Sequence, residues 1–89
     1  MPDPDLHEFR IEADAILDVL MRVLGPFAVQ GAELASVRHE RTAEGAWTVV
    51  EVTSLAPERA ELLRLRLGQV PCVRDVRVRC ALALVAAAK

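Results

Sequence analysis

The side chains of this 89-residue chain that could do chemistry are two cysteines, two histidines and thirteen acids, and their spacing argues against most chemistry. Cys72 and Cys80 stand eight apart. A thiol pair that binds metal sits close together on one loop, and an iron–sulfur cluster needs four cysteines, so no metal site is expected. Buried free thiols in a reducing compartment are the plain reading. His7 and His39 have no Ser, Cys or acid near them in an order that would make a triad. The carboxylates fall on helix turns and strand faces, and no pair must meet for acid–base work. No catalytic residue and no cofactor are therefore expected. What remains is backbone chemistry: around Ala13 to Asp18 the sequence reads as a strand end, a tight turn and a helix start. Such a turn offers free N–H groups and the positive end of a helix dipole to a small anion.

The elements around that turn follow from periodicity. Leu6 to Ala13 alternates, with Phe9, Ile11 and Ala13 on one face and Glu8, Arg10 and Glu12 on the other, a half-buried strand. Asp14 is the expected N-cap of a helix whose apolar stripe is Ile16, Leu20, Val23, Leu24 and Phe27, with Leu17 beside it. Asp18 and Arg22, four apart, can pair on its wet side. Gly25-Pro26 predicts a kink, or a break with a short second piece to about Gln30, and Gly31 supplies the exit. In Glu33 to Arg41, Leu34 and Ser36 are expected on one face, with Ala35, Val37 and His39 on the other. Arg41 to Gly45 reads as a hairpin loop with Gly45 at positive φ. Trp47 to Ser54 is the strongest strand, with Thr48, Val50 and Val52 facing one way and Trp47, Val49, Glu51 and Thr53 the other. Pro57 opens a second helix, followed by Glu58 and Glu61 where the dipole favours acids. Ala60, Leu63, Leu67 and Val70, widened by Leu62, form its core stripe, and Gly68 and Pro71 end it. Val73 to Cys80 is the last strand.

The order strand–helix–strand, twice, predicts an α+β ferredoxin-like βαββαβ sandwich. It has a four-stranded antiparallel sheet with two helices on one face. One domain covers 6–80, between a flexible N-terminus (1–5) and an apolar C-terminal tail (81–89). The first and last strands are neighbours in this fold, so Glu8, Arg10 and Glu12 can pair across to Arg77 and Arg79. Trp47 and Val49 are left on the open sheet face, which calls for a neighbour there.

Bulk composition limits the partners. Apolar residues make up 53% and mean hydropathy is +0.25, more than so short a chain can bury, so a subunit interface is expected. The net charge of −2 argues against nucleic acid, as does the lack of several aromatics on the central strands. A phosphatase of the acylphosphatase type needs an anion-binding Arg in the first loop and an Asn elsewhere; the first loop has no Arg and the chain no Asn. The start MPDPDLHEF is no signal peptide, and CALALVAAA is too short for a bilayer, which takes about 20 residues. A cytoplasmic protein without membrane or nucleic-acid partner is expected.

The stretch Val19 to Val37 (VLMRVLGPFAVQGAELASV), then Trp47 to Ser54 (WTVVEVTS) and Pro57 to Leu63 (PERAELL), resembles an ACT domain. Within that family it is most similar to the short regulatory subunits of acetolactate synthase, over roughly Phe9 to Val78. The resemblance lies in an L-x-R-V-L helix, a G-x-x-L-x-S lead into the second strand, and a V-x-V-x-S strand before an acidic, leucine-rich helix. It implies a non-catalytic regulatory subunit that associates with a catalytic large subunit of branched-chain amino-acid biosynthesis. The alternative is a stand-alone dimeric sensor of a small amino acid. It also implies a homodimer formed by sheet-edge or sheet-face pairing, with an amino-acid effector between subunits. Carried over, the site is the first loop, Ala13, Asp14, Ala15, Ile16, Leu17 and Asp18, with the segment Gly31, Ala32, Glu33 and Leu34 of the other subunit. Backbone N–H groups would take the effector's carboxylate, and Asp14 or Glu33 its ammonium. The sequence departs from the family at one point. Ligand-binding members carry Asp-x-x-Gly in this loop, and here Asp18, or Leu17 with a one-residue gap, stands at the glycine position. An aspartate beside a carboxylate is unfavourable, so the resemblance also allows a subunit that acts by contact alone.

Overall fold

β1 (His7–Ala13) is the centre of the molecule because its alternation gives it an apolar face and two strand neighbours. In this computed structural model residues 6–80 are described; the flexible start and apolar tail expected at 1–5 and 81–89 lie outside them. The elements are β1, α1 (Val19–Val29), β2 (Glu33–Thr42), β3 (Gly45–Thr53), α2 (Pro57–Gly68) and β4 (Val73–Cys80). The sheet order is β2-β3-β1-β4, antiparallel throughout, with both helices on one face, as the sequence predicts. Phe9, Ile11 and Ala13 of β1 and Ala46, Val50 and Val52 of β3 meet Val19, Val23 and Phe27 of α1 and Ala60, Leu63 and Leu67 of α2. The rings of Phe9 and Phe27 meet edge to face, centroids 5.1 Å apart and planes at 89°, an arrangement favoured by the ring quadrupoles.

The first helix departs from expectation at both ends. Asp14 is not its N-cap. The chain runs on as a loop in which the Ile16 N–H bonds the Asp14 carbonyl at 2.9 Å, and Asp18 takes the capping position. Ile16 and Leu17 thus leave the core stripe; Leu17 is 93% exposed. Nor does Gly25-Pro26 break the helix, which is continuous to Val29. Gly25 has no Cβ to meet the proline ring. Phe27, one residue on, is fully buried; that burial, about 1.5–3 kcal/mol, offsets most of the roughly 3 kcal/mol cost of an interior proline. The exit is at Gly31 (φ 64°), as expected. The Ala32 N–H bonds the Phe27 carbonyl at 2.9 Å and the Gly31 N–H bonds the Ala28 carbonyl at 3.1 Å, the paired bonds of a Schellman stop. Arg59 of α2 adds an Nη2 donor to the Gln30 carbonyl at 2.6 Å.

β2 also differs. Leu34 pairs with Val52 but Ser36 pairs with Glu51, so the register shifts between them. This bulge at Ala35 moves Leu34 onto the helix side with Val37 and His39, and Ser36 onto the open side, where its Oγ donates to Glu51 Oε1 at 2.6 Å. The hairpin closes on Ala43-Glu44, and Gly45 does not adopt positive φ. Glycine is needed there for space: a Cβ would lie 3.0 Å from the Ala13 carbonyl oxygen and 3.0 Å from Arg74 Nη1. Gly45→Ala is expected to cost about 1–3 kcal/mol, as overpacking does, read as a lower urea midpoint at unchanged slope. Of the thiols, Cys72 is buried as expected, but Cys80 is exposed.

Candidate functional site

The first loop is tied to three strand ends by a backbone bond and two arginines, Arg74 and Arg41. The Asp14 N–H bonds the Cys72 carbonyl at 2.8 Å, which fixes the loop to the start of β4. β4 carries a second register shift, with Glu12 opposite Asp75 but Ala13 opposite Val73. Arg74 sits at that shift: its Nε donates to Asp14 Oδ1 at 2.7 Å and its Nη1 to the Glu44 carbonyl at 3.0 Å. Glu12 Oε1 lies 3.9 Å from the same Nη1. Arg41, near the end of β2, donates through Nη2 to the Ala15 carbonyl at 2.9 Å. Nothing in the local pattern marks either arginine, because each bonds a segment far along the chain, Arg41 to Ala15 and Arg74 to Asp14.

Among the described residues, the backbone N–H groups of Ala15 and Leu17 donate to no protein acceptor. Asp18, at the N-cap position, makes no capping bond to the helix with its side chain; its carboxylate accepts from Arg22 Nε at 2.9 Å, the expected pair. That hydrogen bond holds its carboxyl below the ordinary 3.8. The pair's contribution is therefore present above 3.8 and is lost as pH falls through the depressed value. An NMR titration should place the Asp18 carboxyl midpoint below 3.8, and Arg22→Ala should return it towards that value.

Gly31, Ala32, Glu33 and Leu34 lie at the other end of the sheet. Ala13 pairs with Ala46 at one end of β3, and Glu33 pairs with Thr53 at the other. Within one chain the two proposed halves of the site are not brought together. Glu33 and Leu34 are exposed, and Thr53 Oγ1 reaches the Glu33 carbonyl at 3.5 Å.

The open sheet face is ordered in rows across the strands. Ser36, Glu51, Glu8 and Arg79 form one; Arg38, Val49, Arg10 and Arg77 the next; Glu40, Trp47, Glu12 and Asp75 the third. The expected cross-strand ion pair exists between Arg79 Nη2 and Glu8 Oε1 at 2.8 Å. Arg10 and Arg77, directly opposite each other, turn along their own strands to Glu8 (3.1 Å) and Asp75 (3.0 Å). Trp47 is 49% exposed, and with Arg10, Arg38, His39, Glu40 and Val49 it lines a shallow hollow of about 340 Å³. Among the described residues no cluster of metal-ligating side chains occurs, and no helix is long and apolar enough to cross a membrane.

The family model for ACT-like domains matches residues 4–85. No curated protein matches the chain in sequence. Among solved structures it is similar to the ACT domain of the GTP pyrophosphokinase of Chlorobium tepidum, at a TM-score of 0.75 and 12% identity, over 83% of this chain and 96% of that one. It is similar also to the C-terminal domain of the MgtC protein from Mycobacterium tuberculosis, at 0.67 and 12%, over 84% and 85%. A third is the regulatory subunit of aspartate kinase from Thermus thermophilus, at 0.63 and 15%, over 89% of this chain and 53% of that one. At these identities the likeness is one of fold, and with the family match it leads to a single statement: the chain belongs to the ACT-like domain family.

Proposed function

We propose that this domain is a non-catalytic regulatory module that acts by association with a catalytic large subunit, of the acetolactate synthase type in branched-chain amino-acid biosynthesis, in the cytoplasm. The observation that carries the reading is the apolar surface on the α1 and β2 side. Leu17 and Met21 on α1 and its lead-in, and Leu34 and Val37 on the edge strand β2, are exposed large hydrophobic residues. A chain this short that leaves so much apolar surface in water supports a reading in which a protein partner covers part of it. The first loop supports contact over effector binding: Arg74 already holds the Asp14 carboxylate, and Asp18, or Leu17 with a one-residue gap, stands where the family's glycine would let a ligand approach. Co-purification with the large subunit, and its activity with and without this chain, test the reading. Absence of association at micromolar concentrations would overturn it.

The second reading is a stand-alone sensor, a homodimer paired by sheet edge or sheet face that holds a small amino acid between Asp14–Asp18 of one copy and Gly31–Leu34 of the other. The undonated N–H groups of Ala15 and Leu17 favour it. Calorimetry against the common amino acids decides: heat from one of them establishes the sensor, and silence from all removes it.

A further inference from the structure

We infer that the open sheet face is a self-docking surface, on which a second copy of this chain sits across a twofold axis running perpendicular to the strands, between the Arg38–Val49–Arg10–Arg77 row and the Glu40–Trp47–Glu12–Asp75 row. The inference deepens the homodimer of the preceding section by choosing face over edge and by setting the register. It does not depend on an effector or on a catalytic partner.

The charge pattern selects that axis. Such a twofold carries each row onto the other while keeping each strand opposite its own copy. Arg38 then faces the second copy's Glu40, Arg10 its Glu12, Arg77 its Asp75, and Val49 its Trp47. Every cation meets an acid and the two apolar residues meet each other. An axis along the strands, or one through either row, would set arginines on arginines or acids on acids, which disfavours the complex. Two observations show the face incomplete in one chain. The side chains of Arg38 and Glu40 have no hydrogen-bond or ion-pair partner among the described residues. Trp47, the only tryptophan, is half exposed on a sheet face with no helix over it among the described residues.

Four strands about 4.8 Å apart, at about 3.3 Å per residue over seven paired positions, give a face of roughly 450 Å² per copy. Two copies bury roughly 900 Å², at the weak end of specific interfaces, so weak, concentration-dependent association is expected.

A charge-swap cycle on the edge strand tests the register. Arg38 and Glu40 are exposed, so their exchange leaves the core untouched. Arg38→Glu places two acids face to face at both symmetric contacts, and Glu40→Arg places two arginines there. Each single substitution is expected to raise the dimer Kd about tenfold in sedimentation equilibrium. The double substitution R38E/E40R restores opposite charges and should bring Kd back to within about threefold of the parent. Trp47 emission in the parent chain should shift to the blue as protein concentration rises through the dimer Kd. A dimer indifferent to both single substitutions, or a double variant no better than the singles, overturns the face, and so does a dimer that forms without a Trp47 shift, because an edge dimer about His39 would also set Arg38 opposite Glu40 but leave Trp47 in water. A chain that stays monomeric at millimolar concentration overturns the dimer altogether.

Discussion

Phe27→Ala is expected to lose about 3–5 kcal/mol of stability in urea denaturation. Typical stability for a domain of this length is roughly 4–13 kcal/mol, so the loss is a large fraction of the whole. Phe27 is fully buried and closes the core between α1 and the sheet by meeting the Phe9 ring edge-on. It is also the residue that keeps α1 helical past Pro26. Truncation therefore removes a ring from the core and weakens the last turn of α1 together. Phe9→Ala should cost a similar amount. The double variant should cost less than the sum by about 0.5–1.5 kcal/mol, because the ring–ring contact is lost once and not twice. Strict additivity would mean that the two rings do not interact.

Arg79→Ala carries the second large effect. Glu8 is 7% exposed although it points to the open face of the sheet. Its Oε1 accepts from Arg79 Nε at 3.2 Å and Nη2 at 2.8 Å, and from Arg10 Nε at 3.1 Å. Directly across the ladder stands Glu51. Without Arg79 a poorly solvated carboxylate is left beside a second acid, with Arg10 as its remaining cation. A loss of about 1–3 kcal/mol is expected, less than for a fully buried pair because Arg79 itself is partly in water. Glu8→Gln in the same chain should recover part of that loss, since it removes the charge left uncompensated. Denaturation of the two single variants and the double variant checks both statements. A double variant worse than Arg79→Ala alone would refute the charge account.

Much of the architecture was legible because each element carries its own signal. The alternation of Phe9, Ile11 and Ala13 assigns a face to β1 without reference to any other strand, and Gly31 and Pro57 mark the end of one helix and the start of the other. The candidate site was less legible. Asp14 has the right side chain for an N-cap, yet Arg74, sixty residues away, holds its carboxylate, and the helix starts at Val19. Leu34 and Ser36 should share a face by period two, and a bulge at Ala35 separates them. Gly45 was read as a conformational need and proves to be a steric one, set by the Ala13 carbonyl and Arg74.

The amino-acid sequence alone determined the element order, the buried face of each central strand and the exit of α1, because these depend on neighbours one to four residues apart. The tertiary structure decided the two bulges, the loop held by Arg74 and Arg41, and the rows of charge on the open face. These depend on register between strands far apart in the chain. A one-residue shift in pairing changes which side chains meet, and only the folded sheet sets that shift.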